Sequence, residues 1–199
     1  MGNPFADIDP DPSGESLLGR VYVLSGIDGS MLRSHEEPAG EFFGGGVSAV
    51  GDQTADGIEE YAIGDRGSGT LHLFDGAHGT RIRSIPIPAS PDPTFPALGS
   101  FALARAGDRD GDGLEDLWVG VAPGGSVHLV ATDGEVLGSV ADPTPEPGAR
   151  ALASFGSRLA PIDMPGPGPI AALIVGNAAE VSGTGIGRAS CRERVSLNV

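Results

Sequence analysis

The sequence predicts an all-β protein made of four-stranded antiparallel sheets, and three observations support this fold class. Short apolar runs such as VYVLS, LHLF, DLWVGV and AALIVG are bounded by glycine and proline, which supply 33 and 17 of the 199 residues. Runs of this length between turn residues are typical of strands, and no segment shows the sustained apolar period of 3.6 that indicates a helix. The third observation is an internal repeat of about 56 residues.

The repeat is visible as three segments that align with one another. Each begins with a strand-like run, continues into a loop and closes a second strand-like run with a glycine. The segments begin at Phe43, Leu98 and Phe155, and their closing glycines, 56 residues apart, are Gly64, Gly120 and Gly176. A second pair of strands follows from Gly69 and Gly125, and the stretch from Gly19 is the same hairpin without its first half.

Each full unit is therefore four short antiparallel strands, which is the composition of one blade of a β-propeller. We expect a partial β-propeller with two full blades and two half blades. Because propellers close with about 4–8 blades, we also expect the chain to be an arc of a larger ring. The predicted segments are a half blade at 1–39, full blades at 40–97 and 98–150, a truncated blade at 151–185 and a separate tail at 186–199.

The tail differs in composition from the rest of the chain. Its stretch IGRASCRERV, residues 186–195, contains three of the twelve arginines and the only cysteine, Cys191. This stretch resembles a translated sequencing adapter, so we interpret it as an artefact. The alternative is a genuine basic tail in which Cys191 is a free thiol.

The charge of the chain limits its partners. The formal net charge is −15, and all twelve basic residues are arginine. Such a surface repels nucleic acid and anionic membranes, so we expect neither as a partner. No run approaches the ~18 apolar residues of a membrane span, and no signal peptide is visible at the start. Calcium fits this balance, although a salty habitat or an arginine-biased genome explains the totals equally well.

The stretch GDRDGDGLED contains the sharpest candidate site. Leu114, at the seventh position counted from Asp108, can add a carbonyl oxygen, and Gly113 permits the sharp turn before it. Calcium takes about 6–8 oxygen ligands, and acids on alternate residues of a tight loop supply them from one side. The loop is not an EF-hand, because position 12 is Val119 and a strand-like run follows. The carboxylates fall at positions 1, 3, 5 and 9, which are Asp108, Asp110, Asp112 and Asp116.

The two sister loops keep less of this pattern. A weaker calcium site is predicted in DQTADGIEE, where the ligand count survives but the charge falls by one. Its candidate ligands are Asp52, Thr54, Asp56, Ile58 and Glu60. The third loop, DMPGPGPIA, has proline and glycine where the acids should be, so we expect it to hold no metal. A solvated acidic turn remains the alternative for the first two loops.

Taken together, these features resemble the FG-GAP repeat of the integrin α-subunit propeller and its bacterial relatives. The pairs Phe43-Gly44 and Phe155-Gly156 begin units, and GVAP at 120–123 stands where the family has Gly-Ala-Pro. The resemblance covers nearly all of residues 19–185, and the last unit has lost most of the pattern. It implies that the acidic loop joins the first two strands of a blade and binds calcium.

The resemblance implies a calcium-stabilised, secreted or cell-surface propeller that serves as a binding, adhesion or scaffolding module for a protein or carbohydrate ligand. The remaining blades of the same propeller are further expected partners. No nucleophile elbow, His-Glu-x-x-His motif or phosphate-binding glycine loop occurs, so we expect no enzyme activity and no catalytic residues. Two alternatives stay open, an accessory propeller of a larger secreted enzyme and a carbohydrate-binding propeller. The repeated His72 and His128 are expected to be neutral strand residues rather than ligands, and Trp118 a core residue.

Overall fold

The computed structural model describes residues 2–3, 18–41, 43–88, 100–122, 125–142, 155–164 and 170–176. Every regular element in these ranges is a β-strand, as the all-β prediction requires. The strands are β1 (Gly2–Asn3), β2 (Leu18–Leu24), β3 (Met31–Glu41), β4 (Phe43–Ala49), β5 (Tyr61–Asp65), β6 (Thr70–Phe74), β7 (Arg81–Pro86), β8 (Ser100–Gly107), β9 (Asp116–Ala122), β10 (Ser126–Val130), β11 (Val136–Ala141), β12 (Arg158–Met164) and β13 (Ile170–Gly176).

The two full repeats each form one four-stranded antiparallel meander. The first sheet has the order β4-β5-β6-β7, and the second has the order β8-β9-β10-β11. Equivalent residues pair in the same register, since Ile63 faces His72 in the first sheet and Val119 faces His128 in the second. This is the strand order of propeller blades, and it confirms the predicted fold class.

Two smaller sheets correspond to the predicted half blades. The hairpin β2-β3 repeats the last two strands of a blade, with the short β1 added beside β2. The pair β12-β13 repeats the first two strands. The chain divides into two compact units, Met1–Pro88 and Ala89–Val199, so each unit contains one half blade and one full blade. The predicted segment boundaries remain predictions, and the tail at 186–199, with Cys191, lies outside the described residues.

Each unit has its own apolar core, formed where its full blade meets its half blade. In the first unit Phe43 and Ile63 are completely buried and pack with Val21 and Phe74. In the second unit Trp118 is 5% exposed and belongs to the cluster that contains Phe155 and Leu173. The prediction that Trp118 is a core residue is therefore confirmed.

The Phe-Gly pairs at the unit starts have a clear structural role. Phe43 and Phe155 are buried, and the glycine after each one has a φ of 87°, which disfavours any residue with a Cβ. In the second unit the backbone at Gly156 passes so close to Gly120 that a Cβ on Gly120 would lie 1.9 Å from the carbonyl oxygen of Gly156. The glycine that closes β9 is thus required by the approach of the next repeat.

No helix in the described part of the chain has the length and apolar character needed to cross a bilayer.

Candidate metal centre

The strongest candidate site lies in the loop between β8 and β9. Asp108 accepts hydrogen bonds from the backbone N–H groups of Gly111, at 2.7 Å, and Gly113, at 3.0 Å. Asp110 accepts the N–H two residues ahead of it at 3.0 Å. Such local acceptance is characteristic of aspartate in turns and holds the loop tightly wound. The carboxylates are therefore held in place by the loop backbone before any ion is bound.

Three of the predicted ligands converge in this loop. Carboxylate oxygens of Asp108, Asp110 and Asp116 all lie within 4.8 Å of one another. Oxygens bound to a common calcium ion at about 2.3–2.6 Å must lie within about 5 Å of each other, so the spacing fits. The predicted ligand Asp112 is not in this group, and its carboxylate accepts the N–H of Leu114 at 2.7 Å.

The deepest member of the group is Asp116, which is 1% exposed at the start of β9. Its Oδ2 accepts the backbone N–H of Arg109 at 2.7 Å, but its buried Oδ1 has no hydrogen-bond partner. Burial, followed by the charges of the three neighbouring aspartates, raises the pKa of Asp116 to about 6, although the Arg109 hydrogen bond opposes this. An unpaired buried oxygen beside other carboxylates is the environment that a divalent cation relieves.

The loop between β4 and β5 contains the second group. Carboxylate oxygens of Asp52, Asp56 and Glu60 lie within 4.8 Å of one another. Glu60 is completely buried, as Asp116 nearly is, and it accepts hydrogen bonds from the Gln53 N–H and from the Thr54 hydroxyl, the latter at 3.4 Å. The longer glutamate side chain therefore occupies the position that aspartate has in the other loop.

Hydrogen bonds also organise this second loop around its first aspartate. Asp52 accepts the N–H groups of Asp56, at 3.2 Å, and Gly57, at 2.8 Å. The hydrogen bond from Gly57 is the main cause that lowers the pKa of Asp52, so this carboxylate is charged at neutral pH. The side chain of the predicted ligand Ile58 is 46% exposed, and its N–H donates to Asp56 at 2.8 Å.

The two loops have the same backbone conformation. Left-handed residues recur at three pairs of positions 56 residues apart, with φ values of 71° and 70°, 60° and 87°, and 86° and 89°. These pairs are Gly51 and Gly107, Ala55 and Gly111, and Gly57 and Gly113. Ala55 is a non-glycine residue in this region, which favours glycine, so the second loop holds the conformation at some cost in strain.

The degenerate third loop falls partly outside the described residues. Its one aspartate, Asp163, lies within β12 and pairs with Ala171 of β13, so it belongs to a strand rather than to a loop. Within the described ranges, the two acidic loops are the places where at least three metal-ligating side chains converge. That the third loop holds no metal stays a prediction.

The repeated histidines occupy buried positions on the third strand of each blade. His72 and His128 are each 5% exposed, and neither joins a metal-ligating group among the residues described. Nδ1 of each ring lies close to a serine hydroxyl on the fourth strand, at 2.8 Å from Ser84 and 2.7 Å from Ser139. The interpretation as strand residues therefore agrees with their packing.

Burial of His128 leads to a prediction about pH. Desolvation lowers the pKa of His128 below its ordinary value of 6.5, so the unfolded chain takes up this proton before the folded one does. Stability from this group is complete above about pH 6.5 and declines as the pH falls below it. We expect His128→Asn to reduce the loss of urea stability between pH 7 and pH 5.5.

The matched control is His78→Asn, because the His78 side chain is 76% exposed. It should leave the pH dependence as in the original chain. Equal slopes for His128→Asn and the original chain would contradict the prediction. Burial also lowers the pKa of His35, so part of the pH dependence should remain in the His128 variant.

Sequence reasoning missed one buried acid in the same blade as His72. Asp65 is 1% exposed at the end of β5, where it accepts the Ser68 hydroxyl at 2.7 Å and the N–H of Gly67 at 3.0 Å. Its Oδ2 lies 3.9 Å from Nε2 of His72. The available signal was an acid directly after the strand-closing Gly64, a position that the other full blade fills with Val121.

The chain is similar to integrin alpha chains over slightly more than half of its length. It is 33% identical over 125 residues to integrin alpha-PS5 of Drosophila melanogaster, which covers 56% of the chain and 12% of that relative. It is 33% identical over 146 residues to human integrin alpha-E, covering 57% of the chain and 12% of the relative. Human integrin alpha-IIb is 32% identical over 136 residues, covering 62% and 13%.

The chain thus spans about an eighth of the length of these relatives. No protein-family model matches it.

Proposed function

We propose that the chain is part of an extracellular or cell-surface β-propeller of the integrin-alpha type, which calcium stabilises and which acts as a binding, adhesion or scaffolding module. The convergence of three carboxylates at equivalent places in two successive blades is the observation that carries this proposal. The similarity to integrin alpha chains supports the surface location and the adhesive role. The ligand of the module is a protein or a carbohydrate.

In the stronger site, Asp108, Asp110 and Asp116 would hold the ion, and in the weaker site Asp52, Asp56 and Glu60. A bound divalent cation neutralises carboxylates that otherwise repel one another. The residues of each loop position these carboxylates through backbone hydrogen bonds, and the buried acid joins the loop to the second strand of the blade. Calcium would therefore stabilise the hairpin between the first two strands rather than take part in a reaction.

Thermal unfolding of the whole chain in 10 mM calcium and in chelator tests this role. For a site with Kd on the order of 10⁻⁴ M, typical of extracellular modules, calcium adds about 2.7 kcal/mol to the free energy of unfolding. That corresponds to a rise in Tm of roughly 5–11 °C for a chain of this size. Magnesium at the same concentration is the control, because it prefers a smaller octahedral shell and should have less effect.

Calorimetric titration completes the experiment, with one or two calcium ions expected per chain and the tighter one assigned to the Asp108 loop. Equal Tm values in calcium and in chelator would contradict calcium stabilisation. A calcium effect of the same size in a chain with alanine at Asp108, Asp110, Asp52 and Asp56 would contradict the assignment to these loops.

A further inference from the structure

The half blade at the end of the described chain has an open strand edge. In the full blades the second strand is paired on both sides, β5 with β4 and β6, and β9 with β8 and β10. The equivalent strand β13 pairs with β12, and within the described residues no strand lies on its other side. Such an edge is a template for one more strand.

The hairpin β2-β3 is the complement of this edge, because it supplies the third and fourth strands that β12-β13 lack. The edge of β2 that corresponds to the missing second strand meets β1 at Arg20 and Val21. Beyond these two pairs, no described strand lies beside Val23 and Leu24 on this edge. The hairpin therefore needs only the displacement of a two-residue bridge to accept a strand here.

Packing inside the first unit identifies what normally covers such a hairpin. The ring of His35 on β3 lies 4.3 Å from the ring of Phe74, and its Nε2 lies 2.6 Å from the hydroxyl of Tyr61. Arg33 donates to the carbonyl of Ala77 at 3.0 Å. The fourth strand of one repeat thus covers the second and third strands of the next, and Phe74 is 4% exposed as a result.

The hairpin β2-β3 lacks this cover. Leu24 and Ile27 stand 50 residues before Phe74 and Ala77, and they are 47% and 98% exposed. Met31 and Leu32 extend the same apolar tip and are 62% and 59% exposed. A contiguous exposed apolar group of this kind is typical of an interaction site.

The second unit contains the matching cover without a hairpin beneath it. Val140 on β11 occupies the position of His35, and Leu173 on β13 occupies the position of Tyr61. Both belong to the apolar cluster of that unit. An apolar residue in the place of Phe74 would complete the cluster, and Leu24 is the residue that this repeat carries there.

We propose that the hairpin β2-β3 of a second copy of this chain pairs with the free edge of β13 and completes a four-stranded blade. The register follows from both full blades, in which Tyr61 faces Phe74 and Leu117 faces Val130. Transferred to the split blade, it places Leu173 opposite Leu24 and Ile174 opposite Val23.

The expected assembly is a closed dimer with both split blades complete. One chain contains the strands of three blades, which is fewer than the about 4–8 at which propellers close. Two copies contain the strands of six, so two-fold pairing satisfies both edges at once. The proposal goes beyond the proposed function, since it depends on strand edges and not on calcium or adhesion.

Disulfide trapping tests the register. The full chain carries Val23→Cys and Ile174→Cys in a Cys191→Ser background and is oxidised at low concentration. We expect a covalent dimer on a non-reducing gel, at twice the chain mass of 20.0 kDa. The matched control replaces Ile174→Cys by Ala172→Cys, which moves the thiol two residues out of register and should form little covalent dimer. Equal trapping by both variants, or trapping within one chain, would overturn the proposal.

Light scattering during size-exclusion chromatography tests the apolar tip. The original chain should elute as a dimer, and Leu24→Asp should elute as a folded monomer because Leu24 is exposed in the single chain. Ile82→Asp is the control, since Ile82 is 41% exposed on β7, outside the proposed contact, and should leave the dimer intact. A monomeric original chain at all concentrations would overturn the proposal, and an unchanged calcium effect on Tm would leave the proposed function standing.

Discussion

Asp116→Asn should lower the Tm in calcium and raise it in chelator. In calcium the variant loses a charged ligand, and a tenfold weaker affinity corresponds to about 1.4 kcal/mol of lost stabilisation. In chelator the same change removes a buried charge that faces other carboxylates and whose Oδ1 has no partner. An amide at this position can donate to the neighbouring aspartates, so the folded state of the metal-free chain becomes more stable.

The reversal of sign distinguishes a metal ligand from a carboxylate with a structural role only. Asp133→Asn is the matched control, because Asp133 is an exposed acid in the β10–β11 turn of the same blade and accepts the N–H of Glu135 at 2.9 Å. Its effect on Tm should be small and equal in calcium and chelator. If Asp116→Asn shifted the Tm in the same direction under both conditions, the assignment of Asp116 as a ligand would be wrong.

Gly120→Ala should be the most destabilising single substitution outside the acidic loops. The added Cβ would lie 1.9 Å from the carbonyl oxygen of Gly156 and 2.8 Å from its carbonyl carbon. Both neighbours are backbone atoms, so the first strand pair of the next repeat must move to relieve the clash. We expect a loss of about 3 kcal/mol, the upper end of ordinary overpacking, or a fall in Tm of roughly 6–12 °C.

Gly138→Ala provides the comparison for the loss of a glycine in a strand. Gly138 lies on β11, and a Cβ built there meets no atom within 4 Å. Alanine loses less conformational entropy than glycine on folding, so this variant should be as stable as the original chain or slightly more stable. Equal Tm values for the Gly120 and Gly138 variants would contradict the close approach of Gly156 to β9.

Much of the architecture could be predicted because a repeat multiplies weak signals. One run such as LHLF is too short to distinguish a strand from other buried structure. The recurrence of its neighbours at 56-residue intervals made the four-strand unit visible, and the structure pairs β5 with β6 and β9 with β10 in the same register. The turn glycines were predictable for the same reason, as positions where the backbone must be left-handed.

The candidate site was predictable in its place but not in its geometry. Alternating acids indicated the two loops, and the structure brings three carboxylates together in each. Spacing could not indicate that Asp112 turns back to its own loop, where it accepts the N–H of Leu114. Nor could it reveal that Asp116 is almost fully buried, because burial depends on what packs around the first turn of β9.

Residue types and their period are thus sufficient for the strands, the blades and the position of the acidic loops, since these follow from local alternation, turn chemistry and repetition. Tertiary packing decides which oxygens converge, how deeply Asp116 and Glu60 are buried, and why Gly120 must lack a side chain. The physical reason is that desolvation and steric exclusion arise from neighbours distant in sequence. The same packing leaves Leu24 exposed where Phe74 is buried, although the repeat assigns them the same position.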